Sequence, residues 1–312
     1  MGEGSRGPDA VTLTVFLAAV TLGGGNFIAV VFSNRELAPF WGAGLRFAVA
    51  GALFVAIALA QGLHWPRGRQ LTNTVLYGLL GFAVSYALMY WALARVPAGM
   101  ATVVLAVVPL MTLLLAAAQR LERLHWRGAV GALLALVGIL WMVLGPEAEV
   151  VPLAPLLVML GASVTIGQSI ILSKRVATNH PAVTNAVGML AGATVLLVLS
   201  VATGESWALP RQRQSLWAVV YLVTLGSVGL FVLVLLVVRR WTASASSYMF
   251  VLFPVVTLGL GAWLADEAVT MQAVSGALLV MAGVWFGALA PAARRLAGPK
   301  PERTPSPAID AS

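Results

Sequence analysis

Residues 95–112, RVPAGMATVVLAVVPLMT, and residues 240–257, RWTASASSYMFVLFPVVT, lie 145 positions apart and align without a gap: Arg95 on Arg240, Ala98 on Ala243, Pro109 on Pro254 and Thr112 on Thr257. The register extends in both directions, from Leu71 to Gly138 against Leu216 to Gly283. It adds Gly81/Gly226, Glu122/Glu267, Gly131/Gly276 and Gly138/Gly283. Any two apolar helices share Leu and Ala, but a proline, an arginine and a glutamate matched at one offset point to a duplicated unit. What that unit is decides the fold.

The unit is too apolar for water. Of 312 residues 60% are hydrophobic and only 10% charged, with a mean hydropathy of +0.93; a soluble domain carries roughly 25% charged residues. A bilayer core takes about 20 apolar residues per helix, and ten such runs occur, separated by short polar breaks. They are Val11 to Phe32, Pro39 to Ala60, Leu71 to Leu93, Ala98 to Ala118, Gly128 to Leu144, Pro152 to Ser173, Pro181 to Val201, Leu216 to Val238, Ser244 to Leu264 and Val274 to Ala290. The fold class expected is an all-α integral membrane protein of ten transmembrane helices. A first repeat spans residues 11–145 and a second 150–290, between a short N-terminal segment, 1–10, and a Pro-rich tail, 291–312, expected to be disordered. The first run is longer than a signal-peptide core and lacks a preceding positive region, so it reads as a retained span.

Cationic residues set the orientation. With the N-terminus inside, the inner side collects Arg6, Arg67, Arg69, Arg120, Arg123, Arg127, Lys174, Arg175, Arg239, Arg240, Arg294, Arg295, Lys300 and Arg303, and the outer side only Arg35, Arg95, Arg211 and Arg213. That bias predicts two cytoplasmic termini in the cytoplasmic (inner) membrane. The net charge of +8 is thus a topology signal rather than a sign of nucleic-acid binding. Five spans per repeat is an odd number, so the second copy enters the membrane inverted. Inverted repeats are the way many secondary transporters obtain two near-equivalent states, one open to each side.

Gly24-Gly25-Asn26-Phe27 in the first run, Arg46-Phe47 in the second, Tyr90 to Leu93 in the third, Pro109, Glu122 and the glycines of the fifth together resemble the EamA domain. This domain, found twice, is the unit of the ten-helix drug/metabolite transporter superfamily, and the likeness covers residues 11 to 290. In the second copy Gly188 stands where Arg46 would be, and Gln168 replaces Asn26. The resemblance implies an exporter or permease for small metabolites such as amino acids, with a central cavity and with the fifth and tenth helices at the periphery.

Several residues could carry that activity. Arg46 lies seven residues into its span, about 10 Å below the outer boundary at 1.5 Å per residue, where a charge costs roughly 2.5 to 3.5 kcal/mol. Two roles are open to it: a cation aimed at a substrate carboxylate or phosphate, or a guanidinium that snorkels outward or binds carbonyls between helices. Asn26 and Gln168 each follow a glycine and must find partners in hydrocarbon, as ligand contacts or as interhelical bonds. Tyr86 and Tyr90 share one helical face and could line the cavity or pack the core. Pro109 and Pro254 are paired kinks, either hinges or static bends. Glu122 and Glu267 are paired helix-end carboxylates, for gating or for bonding helix termini.

No Asp or Glu lies in the middle of a span, so no embedded carboxylate is available to bind a lipophilic cation or relay protons, and neutral, zwitterionic or anionic substrates fit better. There is no Cys, no HExxH and no His cluster, so neither a metal nor a cofactor is expected and an integral-membrane enzyme is disfavoured. A multidrug-type efflux carrier and a channel-like facilitator are the competing transport functions. The expected partners are a small-molecule substrate and the lipid bilayer, with no nucleic acid; the oligomeric state stays open, a monomer being the simplest case.

Overall fold

The computed structural model describes residues 10–120, 126–144, 152–176, 178–240, 248–265 and 269–286. The tail 291–312, residues 1–9 and both Glu122 and Glu267 lie outside the described residues. The described chain forms ten apolar helices: α1 (Ala10–Ser33), α2 (Pro39–Ala60), α3 (Arg69–Leu93), α4 (Ala98–Ala118), α5 (Trp126–Leu144), α6 (Leu153–Ser173), α7 (Pro181–Ala202), α8 (Arg213–Val237), α9 (Tyr248–Leu264) and α10 (Met271–Val284). Seven of them, α1 to α4 and α6 to α8, are long and apolar enough to cross a bilayer. The chain is an all-helical membrane protein of two five-helix repeats. Several helices begin two or three residues earlier than hydropathy alone places them, α3 at Arg69, α5 at Trp126, α8 at Arg213 and α10 at Met271, because polar residues at a membrane boundary extend a helix without breaking it. In α10 the Thr270 hydroxyl accepts the Ala273 N–H as an N-cap.

The duplication is visible in helix ends as well as sequence. Both α2 and α7 start on a proline at the first helical position. Both stop two residues before a glycine in the left-handed region, Gly62 at φ +61° and Gly204 at φ +68°. After each glycine the N–H reaches back over the helix end, Leu63 to Ala58 O and Glu205 to Ser200 O. At the periphery α5 and α10 pack backbone to backbone. A Cβ on Gly138 would lie 2.8 Å from Gly276 O, and one on Gly283 would lie 2.7 Å from Gly131 O. Their outer faces, with Leu133, Trp141, Leu278 and Trp285, are exposed.

Two departures from straight helices position the centre. The third helix of each repeat carries a π-helical turn, Leu79–Val84 in α3 and Thr224–Gly229 in α8, 145 positions apart. The paired prolines behave differently. The fourth helix is interrupted at Ala106 and Val107, giving Ala98–Leu105 and Val108–Ala118 with Pro109 in the first turn of the second piece. Pro254 instead sits inside one continuous helix.

Candidate functional site

A cavity of about 130 Å³ lies at the bundle centre. Six pairs of repeat-equivalent residues surround its middle: Gly23 and Ile166, Asn26 and Ser169, Phe27 and Ile170, Tyr86 and Phe231, Met89 and Val234, Leu105 and Phe250. Beyond these it extends toward one end only. Tyr77, Ser173, Leu235, Met249 and Phe253 line it, while their equivalents Leu222, Val30, Tyr90, Val104 and Val108 are at most 1% exposed on the opposite side. The end toward which it extends is the one carrying Arg67, Arg69, Lys174 and Arg175. None of the lining residues is ionisable to a carboxylate, ammonium or imidazolium; the polar lining consists of Asn26, Ser169, Ser173 and the phenols of Tyr77 and Tyr86.

The glycine triplet of α1 lets neighbours reach this wall. The segment stays helical, and a Cβ on Gly24 would come within 2.6 Å of Val256 Cβ, one on Gly25 within 2.7 Å of the Tyr221 hydroxyl. The Tyr221 hydroxyl donates to Leu22 O at 2.9 Å and the Thr257 hydroxyl to Gly24 O at 2.9 Å, pinning α1 to α8 and α9.

On the side of the cavity remote from the Arg67 and Lys174 end sits Arg46, only 1% exposed. It does not line the cavity. Nε donates to Ser227 Oγ at 2.7 Å, Nη2 to Gly226 O at 2.7 Å and Nη1 to the Tyr90 hydroxyl at 3.4 Å. The guanidinium carbon lies 5.1 Å from the Phe47 ring centroid and 5.3 Å from that of Tyr86, within cation–π range. Asn26 Nδ2 donates to the same Gly226 O at 3.0 Å, and its Oδ1 is buried with no hydrogen-bond partner. Asn26, Arg46, Tyr86 and Tyr90 are thus brought together as a roof, of which Asn26 and Tyr86 face the cavity.

Gln168 is not part of this cluster. Its Oε1 accepts from Gln119 Nε2 at 2.8 Å, and the face of α6 that lines the cavity is Ile166, Ser169, Ile170 and Ser173. Ser169 takes the place opposite Asn26: a Cβ on Gly226 would overlap Asn26 Oδ1, and one on Gly81 would lie 2.6 Å from Ser169 Oγ. Helical periodicity on α6 carries this signal, whereas matching amide to amide points one residue away.

Sequence reasoning also passes over the far end of the bundle, where each repeat supplies a carboxylate to the other. Glu36 Oε2 accepts the Arg211 and Gln212 N–H groups at 3.0 and 2.9 Å. Glu205 accepts the Phe40 and Trp41 N–H groups at 3.1 and 2.8 Å, in the first turn of α2. Trp41 stacks on Trp207 with ring centroids 4.5 Å apart and donates Nε1–H to Ala208 O at 2.7 Å. At the end toward which the cavity extends the corresponding contacts are neutral, Gln70 to Thr178 and Asn179 to Thr74.

Comparison with known proteins agrees with this architecture. The chain is 30% identical to the uncharacterized inner membrane transporter YedA of Escherichia coli K12, over 79% of this chain and 80% of that protein. It is 29% identical to a probable terminal-alkyne amino-acid exporter of Streptantibioticus cattleyicolor, over 76% and 80%, and 25% identical to a probable amino-acid metabolite efflux pump of Escherichia coli K12, over 86% and 92%. One protein of known crystal structure superposes with a TM-score of 0.64 over 93% of this chain and all of its own, at 22% identity, a likeness of fold. Residues 10–144 and 153–288 each match the EamA-like transporter domain, so the chain belongs to the EamA-like transporter family, with one domain in each inverted repeat.

Proposed function

We propose that this transporter exports small zwitterionic metabolites, foremost amino acids with uncharged side chains, by alternating access, and that the described conformation is the one facing the cytoplasm. The observation that carries this reading is an uncharged, largely aromatic cavity, walled by equivalent residues of two inverted repeats and displaced to one end. That end holds the Arg- and Lys-rich connections, which the positive-inside rule assigns to the cytoplasm. An apolar cavity of about 150 Å³ takes a benzene-sized molecule, so the space here suits a compact side chain, with the phenols of Tyr77 and Tyr86 left for polar groups. The names of two relatives point to the same substrate class. Lipophilic cations fit poorly because no lining residue can be an anion.

Counterflow in proteoliposomes tests this. Preloaded leucine or methionine should accelerate entry of the labelled amino acid, with lysine and a quaternary ammonium dye without effect. Robust exchange of the dye alone would replace the reading by a multidrug carrier. For topology, cysteines in Ser5→Cys and Thr270→Cys should resist and accept, respectively, an impermeant thiol reagent applied to intact cells; the chain has no native cysteine to confuse the result. Labelling of Ser5→Cys from outside would invert the assignment.

A further inference from the structure

We propose that Arg46 is a positioning residue of the transport cycle: it locks the end of the bundle remote from Arg67 and Lys174 by holding a backbone carbonyl set free in the π turn of α8. The second repeat has no equivalent cation, so the unloaded carrier rests with that end shut. This rests on the alternating-access reading above. In an unbroken α-helix the Leu230 N–H would bond the carbonyl four residues back, Gly226 O. Here it donates to Leu225 O and Ser227 O and passes Gly226 over. π turns of this kind are rare and recur at functional positions. The bypassed oxygen collects Arg46 Nη2 at 2.7 Å and Asn26 Nδ2 at 3.0 Å, so α1, α2 and α8 meet on one atom between the cavity and the closed end.

The other repeat builds the same turn without the lock. Ser85 N–H reaches five residues back to Leu80 O, the counterpart of the Leu230 to Leu225 bond. The places of Arg46 and Asn26 are taken by Gly188 and Ser169. Space that a guanidinium would use is filled by the Phe82 ring, whose Cε2 lies 3.1 Å from where a Gly188 Cβ would be. That contact is dispersion and apolar burial, which can be remade by sliding. Parting Arg46 from Gly226 and Ser227 instead strips a buried cation of hydrogen bonds to neutral acceptors, and such bonds are about twice as strong as neutral ones. The two ends of a carrier built from one repeat are therefore unequal.

Two single-cysteine reporters read the outcome without substrate: Ser173→Cys in the cavity, and Val30→Cys, its equivalent on the closed side. In the parent background the first should react quickly with a small methanethiosulfonate and the second slowly. Arg46→Gln should raise the Val30→Cys rate at least tenfold and lower that of Ser173→Cys; Arg46→Lys, which keeps the charge and one bond, should fall between. Ser227→Ala retains the cation and removes one acceptor, so it should give a smaller rise in the same direction, about three- to tenfold, even if Arg46→Gln does not fold. Unchanged Val30→Cys labelling in a folded Arg46→Gln or Ser227→Ala protein overturns the lock. Glu205→Gln, which loosens the far-end contacts, separates the two ideas. Reciprocal movement of the reporters there but not with Arg46→Gln leaves alternating access standing and removes the lock, whereas reporters that never move reciprocally overturn both.

Discussion

The paired glycines of the π turns, Gly81 and Gly226, occupy one position of the repeat yet should respond oppositely to a methyl group. A Cβ on Gly81 meets only Ser169 Oγ at 2.6 Å, with Ser169 Cβ next at 3.5 Å; a hydroxyl turns aside at little cost. A Cβ on Gly226 overlaps Asn26 Oδ1, with Asn26 Cγ at 3.1 Å and Tyr221 O at 3.3 Å. Asn26 is 5% exposed and must swing off the Gly226 carbonyl to make room. That loses a bond worth about 0.5 to 1.5 kcal/mol and leaves a buried amide short of partners, a further cost of about 1 to 3 kcal/mol. Either alanine gains about 0.5 to 1 kcal/mol in helix propensity. The net expectation is near neutrality for Gly81→Ala and a loss of about 1 to 3 kcal/mol for Gly226→Ala. At roughly 2 to 4 °C per kcal/mol for a chain of this order, thermal unfolding of the purified protein in detergent should fall by about 2 to 12 °C for Gly226→Ala alone. Adding Asn26→Ser, which shortens the obstructing side chain, should recover at least half of that fall. Equal shifts for the two glycines, or no recovery with Asn26→Ser, would refute the account of the roof.

Gly138→Ala and Gly283→Ala each push a methyl onto backbone atoms of the partner helix, 2.8 Å from Gly276 O and 2.7 Å from Ala135 N, so both should lower the unfolding temperature while leaving substrate affinity within about twofold, because α5 and α10 lie away from the cavity. Ser169→Asp puts a carboxylate into a cavity that has none; in counterflow, lysine exchange should appear and leucine exchange decline, and an unchanged selectivity would argue against Ser169 as a substrate contact. Glu36 lies in the connection between α1 and α2, and the N–H of Gln212 above all, with Ser215 and Arg211, holds its carboxyl below the ordinary carboxylate value against an opposing effect of desolvation. A lowered value means stability present at neutral pH and lost as pH falls through it. The parent should therefore melt above Glu36→Gln at neutral pH by a margin that shrinks below the ordinary carboxylate range, and a margin that widens on acidification would contradict this.

Residues that match between the repeats were legible as structure, and residues that differ carry what had to be seen in three dimensions. Gly138 and Gly283, Pro39 and Pro181, and the ten apolar runs follow from hydropathy and spacing, because helix length, caps and close packing are local properties written into local sequence. Arg46 was legible as costly, but its two possible roles could not be separated: its shortest hydrogen bonds go to a carbonyl and a hydroxyl 180 and 181 positions away, and the carbonyl is available only because a helix changes its hydrogen-bond register, which no side-chain pattern announces. The same limit explains Gln168, an amide matched to an amide, while the wall is set by the helical face of Ser169. Where the copies diverge, Arg46 against Gly188, Ser227 against Phe82 and Leu222 against Tyr77, the substitutions fall at the bundle centre and on opposite sides of it. Identical repeats would make two equal ends. Divergence at these few central positions places hydrogen bonds to a buried guanidinium on one side of the cavity and extends the cavity on the other, so the two sides of the bundle are not held by equal contacts.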